Sequence, residues 1–424
     1  MKILWLSTSK SLYRSPSSNN AYNGVGWVAS LQREVMKHQD IQLGVAFLTE
    51  NIADKADIQN EVSYFPIYDK KNFLSKLYHY HYGYKKWNQD ILANKVKLII
   101  NEFHPDLIHA FGFECPLSDI LGFTSIPIVV HIQGILNAFR CNFPSGMSKL
   151  DVLRYGSFKR EVVLGNGFLY TYNNMVALAK RESVLFSKAM YICGRTKWDK
   201  SVAALMASQA KYFHVDELLR PSFYTDSTWV KKDSSKHIIV STLSENLYKG
   251  LDQVFKTADC LRKYSDIDYE WHIVGIRPTS SYIKLVEKTF NLDYTSLPLV
   301  FRGIMNEKQV QELLLSADVY VHPSTIDNSP NSVCEAQMLG VPVIANNVGG
   351  ISSLLPENSG ILVPSNDSLI LAKNLIKLMT DLDYAKILSK NGHQVAVRRH
   401  NRKSIIRDLL NMYNEIVGSN GGKL

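Results

Sequence analysis

Residues 319–350 read VYVHPSTIDNSPNSVCEAQMLGVPVIANNVGG. Two short β-branched runs, VYVHP (319–323) and VPVIA (341–345), flank a segment of helical spacing, the pattern of a strand–helix–strand unit in a parallel sheet. Ser329-Pro330 predicts a helix cap with Pro at the first helical position. Glu335 then falls in the second helical turn, and Asp327 lies in the loop just beyond the first strand. Gly349-Gly350 follow the second strand and open another helix, where bare amides can meet a phosphate or sugar oxygen. Taken singly, these residues read as a cap, a surface acid and a plain turn. Placed together at the ends of successive strands, they point to a ligand site.

The same alternation extends in both directions. Strand candidates in the first half are 2–7, 41–48, 107–111, 126–132 and 190–194; in the second they are 237–242, 269–275, 299–303, 319–323, 341–345 and 361–363. Helical periods intervene, as with Val310, Leu313 and Leu314. A chain of 424 residues exceeds what one core serves, since cores stop growing near about 250–300 residues. The reading is α/β, two doubly wound domains: 1–220, a polar linker 221–236 (PSFYTDSTWVKKDSSK), 237–400, and a C-terminal helix with a frayed tail over 401–424. That helix carries one apolar stripe, Ile405, Ile406, Leu409, Leu410, Tyr413, Ile416 and Val417. In such sheets ligands sit beyond the carboxyl ends of the strands, so two domains that face each other would place the site in a cleft between them.

Composition excludes several classes. The chain is 46% hydrophobic and 21% charged, an ordinary globular balance. Its five Cys are widely spaced with no CxxC pair, against a disulfide framework or a zinc site. The apolar stretch before Ser7 is too short for a signal-peptide core, and no run reaches the roughly 18 apolar residues of a membrane span. A cytosolic protein is expected. The net charge of +9 is uneven: residues 1–236 hold 29 Lys+Arg against 20 Asp+Glu, hence +9, and residues 237–424 hold 19 of each. A basic first half draws anionic partners, or is merely a solvated lysine surface. Segment 70–87, KKNFLSKLYHYHYGYKKW, interleaves Lys with aromatic rings. It suits an anionic membrane surface at the inner face of the plasma membrane, or equally a packed helix; nucleic-acid stacking is not expected without a recognised module.

Three further motifs carry chemical meaning. Gly24-Val25-Gly26-Trp27-Val28-Ala29 fits a dinucleotide fingerprint, with Glu50 as the ribose acid, but some sixteen residues (8–23) separate it from the first strand, too long for the tight turn that binds pyrophosphate. A Gly-rich turn at a helix start survives. Lys249-Gly250 opens a helix after strand 237–242, and a Lys placed against a positive helix end is explained by an anion between them. Asp266-Ile267-Asp268 resembles a metal-binding DxD but precedes a strand, the wrong end for a site, and reads as a solvated turn.

With PDLIHAFG (105–112), VVHIQG (129–134), the YKG loop (248–250), FRGIMNEKQV (301–310) and the acid-x7-acid segment running into EAQMLGVPVIANNVGG, the chain resembles the retaining GT-B glycosyltransferases of family four. The resemblance implies two Rossmann-like domains facing across a deep cleft, with the C-terminal helix packing back on the first, and a nucleotide-sugar donor with no metal and no cofactor. It implies that Glu335 holds the donor ribose, that Lys249 and the Gly24 amide neutralise the diphosphate, that His131 meets the transferred sugar or the incoming hydroxyl, that Gly303 and Ile304 lie against the base, and that Gly349 and Gly350 lie near phosphates or sugar. Asp327 stands where the family usually has a Glu that meets the transferred sugar's hydroxyls, and is one methylene shorter. Ser244 stands where it usually has Arg, and Arg195 is a candidate substitute. A sugar transferred to a glycan or polyprenyl-diphosphate-linked acceptor, as in capsule or exopolysaccharide assembly, is the implied reaction. A nucleotide-sugar epimerase or a non-catalytic subunit of the same fold are the alternatives.

Overall fold

In a computed structural model of the chain, the described residues are 1–15, 26–69, 86–157, 160–161, 167–231 and 236–420. The chain divides into two compact units, one made of 1–137, 173–218 and 400–424, the other of 138–172 and 219–399.

The first unit is built on an eight-stranded sheet. Its strands are β1 (Lys2–Ser7), β2 (Gln42–Thr49), β3 (Asp57–Gln59), β4 (Val62–Tyr68), β5 (Leu107–Phe111), β6 (Ile128–His131), β7 (Tyr191–Gly194) and β8 (Lys211–His214), in the order β3-β4-β2-β1-β5-β6-β7-β8. All pairs are parallel except the edge pair β3/β4. Ile3, Leu4, Trp5 and Leu6 are fully buried, as expected of a strand covered on both faces. One cover is the C-terminal helix Arg402–Asn420: Ile405, Leu409, Tyr413 and Ile416 are buried in the same apolar cluster as Trp5, Leu31 and Phe111. Each such side chain contributes about 1.5–3 kcal/mol on burial. Strands β3, β4 and β8 escape the sequence pattern. Pro66 interrupts β4, β3 has three residues, and β8 is a half-buried edge.

The second unit holds β9 (His237–Thr242), β10 (Tyr269–Val274), β11 (Leu299–Gly303), β12 (Val319–His322), β13 (Val343–Asn346) and β14 (Ile361–Val363), in the order β11-β10-β9-β12-β13-β14 and all parallel. The order reverses between β9 and β12, the switch point at which loops leave the sheet in opposite directions and open a crevice.

Two assignments from the sequence differ from the observed division. Residues 138–172, expected in the first domain, fold with the second unit: the Ser145 hydroxyl donates to Asp252 at 2.8 Å, and Phe139 lies edge-on to Tyr248. Residues 221–231, expected as linker, pack on the second unit as well, where buried Trp229 donates its ring N–H to the Ala317 carbonyl. A polar segment with two anchors reads as a linker because the anchors are few and far apart. All five cysteines are free. Among the described residues no helix is long and apolar enough to cross a membrane.

Candidate functional site

The switch point of the second sheet brings two loops together. The loop after β9 ends in a single turn, Leu247–Lys249, and Gly250 (φ +76°) starts helix Leu251–Tyr264. The loop after β12 runs from Pro323 to Pro330. A Cβ at position 250 would lie 2.0 Å from the Pro323 carbonyl oxygen, and one at Gly349 (φ +51°) 2.0 Å from that of Asp327. Glycine is therefore required at both places for the loops to touch. Thr325 N–H donates to the Tyr248 carbonyl at 2.8 Å, and the Asn346 amide ties the Pro323 and Ser324 carbonyls. The expected Ser329 cap is not formed. Helix Asn331–Met338 begins after Pro330, which is itself the cap residue and makes no side-chain cap bond.

Asp327 is the hub of this crevice. Its Oδ2 accepts from Lys249 Nζ at 2.7 Å and lies 3.1 Å from His322 Nε2, while Oδ1 accepts from the Asn328 N–H at 3.1 Å. Burial alone would raise the carboxyl pKa; the Lys249 charge and the His322 bond outweigh it and hold Asp327 well below the usual carboxylate range. His322 is held below its ordinary value by burial, so it is neutral, donates from Nε2 and leaves Nδ1 buried with no partner among the described residues. The acid expected to reach sugar hydroxyls is thus spent on three donors of its own unit. One methylene shorter than Glu, it stops at Lys249.

Glu335, 3% exposed on helix Asn331–Met338, is held in a two-point fork by Arg220, Nε to Oε1 and Nη2 to Oε2, both at 2.7 Å. Burial lifts its carboxyl above the ordinary value and Arg220 pulls back only part of that. The bond to Arg220 was not legible in the sequence, where Arg220 precedes the Pro that opened the supposed linker. Lys249 and Glu335 lie on the same unit, one in the loop after β9 and the other on the helix after β12. Gly350 gives its amide to the Asp327 carbonyl at 3.1 Å, so it is closed to a ligand in this state, whereas Gly349 donates to no partner among the described residues. Gly303 (φ +66°) ends edge strand β11 and Ile304 beyond it is 66% exposed. Asp266 and Asp268 are exposed at the amino end of β10, the end opposite these loops.

In the first unit, His131 ends β6, fully buried, with its ring 4.9 Å from that of Trp27 and its Nδ1 3.3 Å from His109 Nε2. Arg195, at the end of the β7 run, donates to the Gln133 carbonyl at 3.0 Å, stands 3.6 Å from Glu217 and lies over the Trp27 ring. The proposed substitute for an arginine at position 244 is therefore committed within its own unit. Gly24, most of the basic aromatic segment 70–87, and the side chains at 86 and 87 lie outside the described residues; helix Trp27–Val35 does start at Gly26, as the surviving part of the glycine motif requires. His322, Tyr248 and Arg220 were missed, although a strand-end His five residues before an acid is a signal that could have been weighed.

Residues 226–395 match the family model described as glycosyl transferases group 1. The capsular polysaccharide biosynthesis glycosyltransferase CapM of Staphylococcus aureus is 24% identical over 197 residues, 46% of this chain and 46% of that protein. The UDP-Gal:alpha-D-GlcNAc-diphosphoundecaprenol alpha-1,3-galactosyltransferase of Escherichia coli is 29% identical over 120 residues, 28% of this chain and 30% of that protein. Among solved structures, sucrose-phosphate synthase (tll1590) of Thermosynechococcus elongatus superposes with a TM-score of 0.70 at 14% identity over 99% of both chains, a likeness of fold. The matches span less than half the length of the curated relatives. Residues 226–395 are thus similar to the glycosyl transferases group 1, and the two parallel-sheet units are those of the GT-B fold.

Proposed function

We propose that this chain is a retaining, metal-independent glycosyltransferase that moves a sugar from a nucleotide-sugar donor to a glycan acceptor carried on a polyprenyl diphosphate, at the inner face of the plasma membrane. The observation that carries the reading is the part-buried ammonium of Lys249 at the switch-point crevice, where the loop that carries Asp327 also meets Gly349 with its open amide. In the resting state Asp327 neutralises it. A donor diphosphate entering there takes over the ammonium, and the charge that develops as the glycosidic bond breaks is stabilised without a metal. The anomeric carbon–oxygen bond breaks with its electron pair going to the phosphate oxygen. The acceptor oxygen bonds to the same face of the sugar, and its proton passes to the departing phosphate. Glu335, freed from or sharing with Arg220, holds the ribose; His131 meets the sugar, and Gly303 and Ile304 the base. The names of CapM and the Escherichia coli galactosyltransferase, with their capsular and lipid-diphosphate contexts, support the acceptor class.

The test is nucleotide release from a panel of nucleotide sugars by the purified chain, with and without a lipid-linked glycan. Release that is lost in Lys249→Ala supports the reading, and release unchanged in that variant removes Lys249 from the chemistry. One observation favours a second reading, a donor-binding subunit without turnover: Lys249 is already neutralised, and Ser244 supplies no second cation. Donor binding with no release from any sugar would select it.

A further inference from the structure

A run of buried hydrogen bonds crosses the first unit from its core to His131. Trp5 Nε1 lies 3.1 Å from the Tyr413 hydroxyl, that hydroxyl 2.6 Å from His109 Nδ1, and His109 Nε2 3.3 Å from His131 Nδ1. Strand register puts the two histidines on one face of the sheet, since His109 pairs with Val129 and Phe111 with His131, and the C-terminal helix brings Tyr413 to that face. The direction of the run follows from hydrogen inventory. Indole N–H only donates, so Tyr413 accepts from Trp5. Tyr413 is fully buried, and its own hydrogen finds one acceptor among the described residues, His109 Nδ1. A neutral His109 then carries its hydrogen on Nε2 and gives it to His131 Nδ1. A neutral His131 carries its own on Nε2, an atom buried with no partner among the described residues. Burial keeps both rings neutral, His109 down at about 3 and His131 well below its ordinary value. Phe111 stacks on His109 at 4.3 Å, and the Trp27 N–H is given to Gln133 and does not compete.

We propose that Tyr413 and His109 are positioning residues that fix His131 in the tautomer with hydrogen on Nε2, so that position 131 offers a sugar oxygen a donor and never an acceptor. This rests on the reading above only in the identity of the ligand. The tautomer is a property of the free protein and is read without sugar.

The experiment uses the full chain labelled with ¹⁵N-histidine, long-range ¹H–¹⁵N correlation at neutral pH, and resonances assigned with His109→Gln and His131→Gln. Both rings should be neutral with hydrogen on Nε2. Tyr413→Phe removes the hydrogen that sets the direction, so His131 should lose its single-tautomer pattern. Trp5→Phe disturbs the same core yet leaves the Tyr413–His109 bond, and should preserve it. Hydrogen on Nδ1 of His131 in the native chain, or an unaltered Nε2 pattern in Tyr413→Phe, overturns the proposal. The predicted tautomers in a chain that releases no nucleotide from any donor would uphold it while sinking the transferase reading.

Discussion

Asp327→Asn isolates the resting state of the crevice. The change keeps the shape of the side chain and one acceptor oxygen but removes the charge that faces Lys249 Nζ at 2.7 Å and His322 Nε2 at 3.1 Å. Breaking a buried ion pair by removing one partner costs about 3–5 kcal/mol; the remaining acceptor puts this case lower, at about 2–3 kcal/mol. For a unit of this size, roughly 2–4 °C per kcal/mol gives a fall in melting temperature of about 4–12 °C. The native pKa of Asp327 is depressed, so its contribution is complete above the ordinary carboxylate value of about 3.9 and is lost only as pH falls through the lower native value. The deficit of the variant should therefore be constant from about pH 5 to 8 and shrink below about pH 4. If a diphosphate displaces Asp327 from Lys249, the variant has nothing to displace. UDP or GDP should then bind it about tenfold more tightly, about 1.4 kcal/mol, and raise its melting temperature by more than the native protein's. Scanning calorimetry with and without nucleotide measures both arms. A variant as stable as the native chain, or one that gains less from either diphosphate, refutes the reasoning.

Glu335→Ala should weaken nucleotide-sugar binding by about 2–3 kcal/mol, since bonds to a charged group are worth about 1.5–3 kcal/mol; calorimetric titration with unchanged affinity would exclude Glu335 from the site. Chelation of divalent ions should leave nucleotide release intact, and a requirement for added Mn²⁺ or Mg²⁺ would contradict the mechanism. In the first unit, burial first and Glu182 next push the Glu114 carboxyl up to about 7, with Arg195 and Arg181 opposing. The folded state then holds a proton that the unfolded chain has lost, so this group makes stability fall as pH rises from about 4.5 to 7; in Glu114→Gln the melting curves taken across the range should show a shallower fall. Replacing Lys70, Lys71, Lys85 and Lys86 by Ser should reduce sedimentation with anionic liposomes, and equal sedimentation would return that segment to an ordinary packed surface.

The sequence alone determined the two parallel sheets, because buried parallel strands are short β-branched runs whose local composition survives any packing, as at 2–7, 237–242 and 319–322. It also determined which loops leave the carboxyl ends, and hence that Lys249, Asp327 and Gly349 gather at one crevice. Partnership was left to the tertiary structure. Nothing local says that Asp327 spends both oxygens within its own unit, that Arg220 reaches Glu335 across 115 positions, or that residues 138–172 leave the unit their neighbours belong to. Nor does a helix stripe at 405–417 reveal that one of its members, Tyr413, comes within 2.6 Å of His109 and so joins the run that ends at His131. Strand and helix follow from nearest-neighbour periodicity, but the protonation and occupancy of a buried group depend on which distant atoms close around it.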